Sequence, residues 1–386
     1  MNKLHYLLVL VLCCLAFHTW AQPKQLSEQA TISLLTCQQG DELYSIFGHS
    51  AVRVNDPAQQ LDIVYNYGTF NFNTPNFYPK FIKGELNYTL SISRFKNFMA
   101  TYRRNQRDVS EQLFVLDKEQ KNKIYAFLQD NMKPEKRNYR YDFFFDNCAT
   151  RIRDIFPKNF PGEFKYTDSI SDGGKSFRQY LDYHLRNSPW ADFGIDFILG
   201  LPSDAPAGFQ GKMFLPLYLK EGLKEGQLGA VPLISTDKVI FDGIDIPDGH
   251  TFWTPAVVLW IICLLYAIVS LFNWSNWAVR LMDVLLFGFA GLAGCFLLFM
   301  WFGTVHVPTH KNFNLLWAFP LHLGLAFQFF RKGLTNFWWY YFWGLIIVNI
   351  LLLICWFWWP QQFHVAIIPI LVAMLIRAFE HVWAWE

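Results

Sequence analysis

The chain has 386 residues, of which 53% are hydrophobic and 19% aromatic, and its formal net charge is only +2. Sixteen Trp and 39 Phe are too many for an ordinary soluble domain. A charge this close to balance leaves no electrostatic footprint for nucleic acid, and no nucleic-acid partner is expected.

Residues 1–21, "MNKLHYLLVLVLCCLAFHTWA", read as a secretory signal: an early Lys, a short apolar run and a small residue at Ala21. An uncleaved anchor is the alternative. Residues 22–253 then form a polar stretch long enough for one substantial domain. In it "ATISLLTC", "HSAVRV", "LDIVYNYGTF" and "EQLFVL" carry strand patterns. Asp117 is placed to cap a helix over "KEQKNKIYAFLQDNM". "CATRIRDIF" has helical spacing until Pro157, which is expected to stop it. Residues 202–211 and 244–250 read as loops leading toward the membrane.

From residue 254 the composition turns to oil. Five spanning segments are expected, at about 254–272, 281–303, 313–330, 337–359 and 363–382, each near the ~20 residues that cross ~30 Å of hydrocarbon. Trp274, Trp277, Trp338, Trp339, Trp358 and Trp359 crowd their ends, as in interfacial belts. Arg280, Arg331 and Lys332 fall on one side and only Lys311 on the other. Together with the export signal, this puts residues 22–253 outside and the C-terminus in the cytoplasm. The fold class is therefore an α+β exported domain followed by a helical membrane bundle of about five helices.

The chemistry converges on "FGHSAVRV" and "FFFDNCATRIRDIF". Cys148 follows Asp146 and Asn147, both good N-cap residues, so it belongs in the first turn of a helix. There unpaired amides and the helix dipole favour a thiolate, and the same amides suit an oxyanion. His49 opens a strand, a rigid seat for the base that a cysteine nucleophile needs. His49, Ala51 and Arg53 share one strand face, and Asp62, Val64 and Asn66 share a face of the next. Asp62 or Asn66 would orient the imidazole as a third member. The bland alternatives are a buried Cys and a core His that never meet, or a Cys37–Cys148 disulfide.

"LLTCQQGDELYSIFGHSAVRV", "VYNYGTFNFNTPNFYPKFIKGELNY", "YRYDFFFDNCATRIRDI", "MFLPLYL" and "HVPTHKNFNLLW" resemble the Bacteroides-type lipoprotein N-acyltransferase family, Lnb-like. The order of His before Cys, with an Asn-Cys dipeptide, is also similar to the circularly permuted NlpC/P60-like branch of the papain fold. The resemblance implies transfer of an acyl chain from a phospholipid donor to the N-terminal amine of a diacylated lipoprotein at the inner membrane. Cys148 would then be the nucleophile and His49 the base, with no cofactor and no metal. A membrane-anchored cell-wall cysteine peptidase or amidase, and a non-catalytic lipid- or protein-binding scaffold, are the alternatives. Outside the pair, Arg151 is a candidate for a phospholipid phosphate. His306, Asn312 and Asn314, in the outside loop "HVPTHKNFN", are candidates for a head-group contact. Pro308 lies between His306 and His310, which argues against a helical metal pair.

Overall fold

The computed structural model describes residues 25–40, 42, 45–167, 173–244, 251–272, 276–330 and 335–383. The signal at 1–21, most of the 244–250 loop, and Arg331 and Lys332 lie outside them.

Seven antiparallel strands form the main sheet in the order β10-β5-β1-β2-β3-β4-β6. They are β1 (Thr31–Cys37), β2 (His49–Asp56), β3 (Leu61–Thr69), β4 (Asn87–Arg94), β5 (Val109–Phe114), β6 (Asn138–Arg140) and β10 (Ile234–Phe241). A small sheet of β7 (Phe164–Tyr166), β8 (Gly226–Leu228) and β9 (Val231–Pro232) flanks it. All four sequence-read strands are present. β4, β6 and β10 complete the sheet: β4 does alternate, with Tyr88, Leu90 and Ile92 between polar residues, β6 is only three residues long, and β10 has no buried residue to print an apolar rhythm.

Alternation along the strands gives the sheet two packed faces. Ile32, Leu34, Val52, Val54 and Tyr65 point to one. There they meet α3 (Lys118–Asn131) and α4 (Cys148–Arg153). Leu35, Cys37, Ala51 and Val64 point to the other, against Phe98, Met99 and Tyr102 of α2 (Phe95–Arg104). A seven-residue helix, α1 (Phe77–Lys83), joins β3 to β4. The cap expected at Asp117 is a full capping box with Gln120. Pro157 does not end the cysteine helix, as had been expected. That helix stops at Arg153, and Pro157 sits within the next one, α5 (Ile155–Asn159), where a missing N–H costs little.

Beyond the sheet, α6 (Phe177–Leu185) and α7 (Pro189–Ile198) lean toward the membrane half. Arg178, fully buried, ties them together through Asp196 (2.9 Å), Asp204 (2.9 Å) and the Leu199 carbonyl (3.0 Å). α8 (Pro216–Lys224) returns to the main core.

The apolar region holds α9 (Pro255–Leu271), α10 (Asn276–Phe302), α11 (Leu321–Gln328), α12 (Asn336–Ile354) and α13 (Ile368–Trp383). Three helices are long and apolar enough to cross a membrane: Trp277–Phe302, Asn336–Ile354 and Val365–Trp383. α9 is shorter, at 17 residues. The expected third span does not run as one helix. Residues 313–330 are a 3-10 turn, Phe313–Leu316, followed by the eight-residue α11, which at 1.5 Å per residue covers only ~12 Å. Pro320 stands between them and cannot donate to a continuous helix. α11 instead packs tightly on a glycine face of α10. A Cβ on Gly294 would lie 1.9 Å from the Ala318 carbonyl, and one on Gly291 2.5 Å from the Leu323 amide.

Candidate active site

Gly48 sets the start of β2. Its φ of +78° and a Cys37 carbonyl only 2.7 Å from where a Cβ would stand leave room for glycine alone. His49 follows as the first strand residue, with Cys37 as its cross-strand partner on β1. Its Nε2 meets Asn66 Oδ1 at 3.4 Å. The Asn66 amide is oriented by its own donor side, since Nδ2 faces the Val64 carbonyl and Ser93 Oγ. Oδ1 is therefore the acceptor, Nε2 carries the proton, and Nδ1 keeps the lone pair. Burial pulls the imidazole down to about 4, with Asn66 opposing and Arg107 reinforcing. At neutral pH this histidine is an uncharged base.

Cys148 is the first residue of α4, as expected, and is 9% exposed. Asn147 caps the helix, its Oδ1 accepting from Ala149 N (2.8 Å) and Thr150 N (2.9 Å). The Asn147 Nδ2 donates to the carbonyls of Phe143 (2.7 Å) and Phe214 (2.8 Å). This changes one expectation. Of the first-turn amides expected to suit an oxyanion, those of Ala149 and Thr150 donate to the cap. The sulfur has two other amides within reach, its own and that of Ser50, the residue next to His49. Ser50 is free to face it because the β2–β3 ladder runs only from Asp56↔Leu61 to Val52↔Tyr65. The strands have parted at the His49 end, and the cysteine helix sits in the opening. Burial holds the thiol above its ordinary value, opposed by the Ser50 and Ala149 amides.

Sequence reasoning left Asp62 and Asn66 open as the third member. Asp62 lies elsewhere: both its oxygens bind Arg53, at 2.7 and 2.9 Å, and Arg53 also reaches Glu111 at 3.0 Å. Asn66 is the one that touches His49. Cys37 and Cys148 are both free thiols. Cys37 is pushed up to about 12 by burial among α2 side chains, with Tyr102 and Arg107 opposing, which makes it an unreactive core residue. Arg151 forms a two-point ion pair with Asp146 (2.6 and 2.8 Å) and stacks 3.4 Å above Tyr139, so its guanidinium is already engaged.

The 306–314 loop serves as a clamp. Asn312 and Asn314, each 1% exposed, donate to the Phe197 carbonyl at 2.8 and 3.1 Å. Pro308 O accepts from Gly200 N (2.8 Å) and Ser203 Oγ (3.0 Å). His306 Nε2 donates to the Phe81 carbonyl at 3.2 Å. These four residues join the two halves of the chain, and neither Asn faces solvent. The sequence also gave no sign that Asp182, Asp192 and Asp196 converge beside this clamp, because their distances along the chain match no ligand pattern.

The fold and site thus define a membrane-associated protein whose α+β domain carries a buried cysteine against the amide of Ser50, the residue that follows a neutral histidine. A model of the Lnb N-terminal periplasmic domain matches residues 16–182, and one of the Lnb transmembrane domain matches residues 248–385. The chain belongs to the Lnb family, with a periplasmic domain and a membrane-embedded helical part. Neither a curated protein nor a solved structure matches it.

Proposed function

We propose that this protein is a lipoprotein N-acyltransferase of the bacterial inner membrane, with residues 22–253 periplasmic after a signal at 1–21 and the C-terminus of residues 254–386 cytoplasmic. Its periplasmic fold is read as a permuted NlpC/P60-like papain relative, and its membrane part as the equivalent of five crossings, one of them the broken 313–330 segment. The observation that carries the reading is the Cys148 sulfur set against the Ser50 amide, one residue from an imidazole that Asn66 holds with Nδ1 free, in a chain of the Lnb family.

The chemistry follows from those groups. His49 Nδ1 takes the Cys148 proton as sulfur attacks the carbonyl carbon of a phospholipid acyl ester. The Cys148 and Ser50 amides stabilise the oxyanion. The ester C–O bond breaks, the lysophospholipid oxygen takes the proton back from His49, and a thioester remains. The neutral N-terminal amine of a diacylated lipoprotein then attacks the thioester, the C–S bond breaks, and the amine proton returns through His49 to sulfur. A thioester has energy enough to form an amide, so no nucleotide is called for.

Purified protein incubated with phospholipid alone gains the mass of one acyl chain on Cys148, removable by hydroxylamine. A diacylated lipopeptide with a free amine discharges it, and an N-acetylated one does not. Cys148→Ser gains no hydroxylamine-labile acyl group. A wild-type protein that cleaves murein peptides and never carries an acyl chain would sink this reading in favour of a peptidase.

A further inference from the structure

The segment 70–83 exposes more apolar surface than a water-facing loop does: Phe72 is 63% exposed, Tyr78 70%, Phe81 49% and Ile82 44%. Its position relative to the membrane is fixed by hydrogen bonds. Val305 N donates to the Lys83 carbonyl at 3.0 Å and His306 Nε2 to the Phe81 carbonyl at 3.2 Å, only a few residues after Phe302 ends the spanning helix. The exposed face of α1 is therefore continuous with the lipid-facing surface of α10, where Phe302 is 74% exposed. Lys80 and Lys83 stand on the same short helix, where phospholipid phosphates would meet them.

From this patch a line of rings leads inward. Phe72 lies 4.9 Å from Phe77 and 5.0 Å from Phe70, and Phe70 lies 5.3 Å from Tyr88. Tyr88 stacks on Tyr141 at 4.3 Å. A Cβ on Gly68 would stand 3.5 Å from both the Tyr141 ring and Cys148 Cβ, so this last ring is beside the nucleophile. Phe70 and Tyr141 are partly exposed, and the Tyr88 ring between them is buried.

We propose that segment 70–83 seats in the outer leaflet and takes up the acyl chain of the donor phospholipid, which then lies along Phe70, Tyr88 and Tyr141 to reach Cys148. This deepens the acyltransferase reading and rests on it. It explains how an ester held in a bilayer reaches a cysteine in the exported domain: the chain stays in apolar contact throughout, and only the ester has to be desolvated.

The test uses the full-length protein in phosphatidylethanolamine–phosphatidylglycerol vesicles containing a phospholipid with a diazirine in its acyl chain. Photolysis is expected to label peptides spanning 70–88 and 139–148 at least tenfold above the exposed sheet-edge peptide around Val239. Acylation of Cys148 is then measured with vesicle lipid and with soluble dihexanoyl phospholipid. The Phe81→Glu/Ile82→Glu variant is expected to lower the ratio of the first rate to the second about tenfold, and Val239→Glu to leave it unchanged. Absence of label on 70–88, an unchanged ratio, or label there only from a diazirine lipopeptide acceptor would each overturn the proposal. Label on 70–88 with no acyl group ever on Cys148 would uphold this lipid surface and defeat the acyltransferase reading.

Discussion

Burial holds His49 down to about 4 and the Cys148 thiol above its ordinary value, so both groups are neutral across the physiological range. A resting thiolate–imidazolium pair would titrate near neutrality. A neutral pair instead moves its proton only during attack, and its rate depends on His49 being unprotonated and Cys148 protonated. We predict that kcat/KM for Cys148 acylation is level from pH 5 to 8, with an acid limb near 4. An acid limb near 6.5 would show that the imidazole is not buried as described. The same shift affects stability. An unfolded His49 binds its proton near 6.5 and the folded one only near 4, so this group makes folding less favourable as pH falls through that window and adds no further loss below it. Asn66 opposes part of the burial effect, and its main contribution is to fix which nitrogen is the base.

The element that places the sulfur is a helix of six residues, too short to hold itself together, so its start has to be fixed from outside. Asn147, 2% exposed, does this with four hydrogen bonds, two accepted within the helix and two donated to the Phe143 and Phe214 carbonyls. Asn147→Ala removes the cap and strands two carbonyls, at a cost of about 2–4 kcal/mol. The expected result is a clear fall in Tm together with loss of Cys148 acylation; an Ala variant as stable as wild type would show the cap to be dispensable. Much of this element was legible, because N-cap chemistry is local and Asp-Asn-Cys announces it. Cross-chain geometry was not. Nothing near Asn147 in the sequence says that its donors reach Phe214, or that the cap would occupy amides first assigned to an oxyanion. The strand alternation put Asp62 and Asn66 on one face, but it could not say that Arg53 would claim Asp62. Likewise 313–330 is apolar enough to span, and only its anchoring to Phe197 and Pro320's place in the chain explain why it does not run as one helix.

At the scale of the whole molecule, the periplasmic and membrane parts are locked together by polar contacts at the 304–314 loop and again at 361–364. Gln361, held by Asn312 (3.2 Å) and the Phe313 amide (2.7 Å), donates to the Leu199 carbonyl at 3.5 Å, while Gln362 Nε2 donates to Asp182 Oδ2 at 3.0 Å. His364 faces Asp192 at 3.4 Å. A rigid joint of this kind suits chemistry at a fixed height above the bilayer. It also gathers Asp182, Asp192 and Asp196, whose carboxylate oxygens lie within 4.8 Å of one another. Arg178 neutralises Asp196. Asp182 is pushed up to about 7, first by burial and then by Asp196. Its folded value is thus raised, and the native state keeps a proton that the unfolded chain releases near 3.8. The stability this gives is complete below 3.8 and is lost as pH rises through about 7. Asp182→Asn keeps the neutral shape and the acceptor for Gln362 while removing the charge. Asp182 is only partly buried, so we expect a gain of about 1–2 kcal/mol at pH 8 rather than the full shift, and little change at pH 5. The readout is Tm in nanodiscs at both pH values, with amide exchange of residues 308–314 showing whether the joint is the part that tightens. A variant no more stable than wild type at pH 8 would mean that Asp182 is ionised without cost, and that the joint is indifferent to its charge.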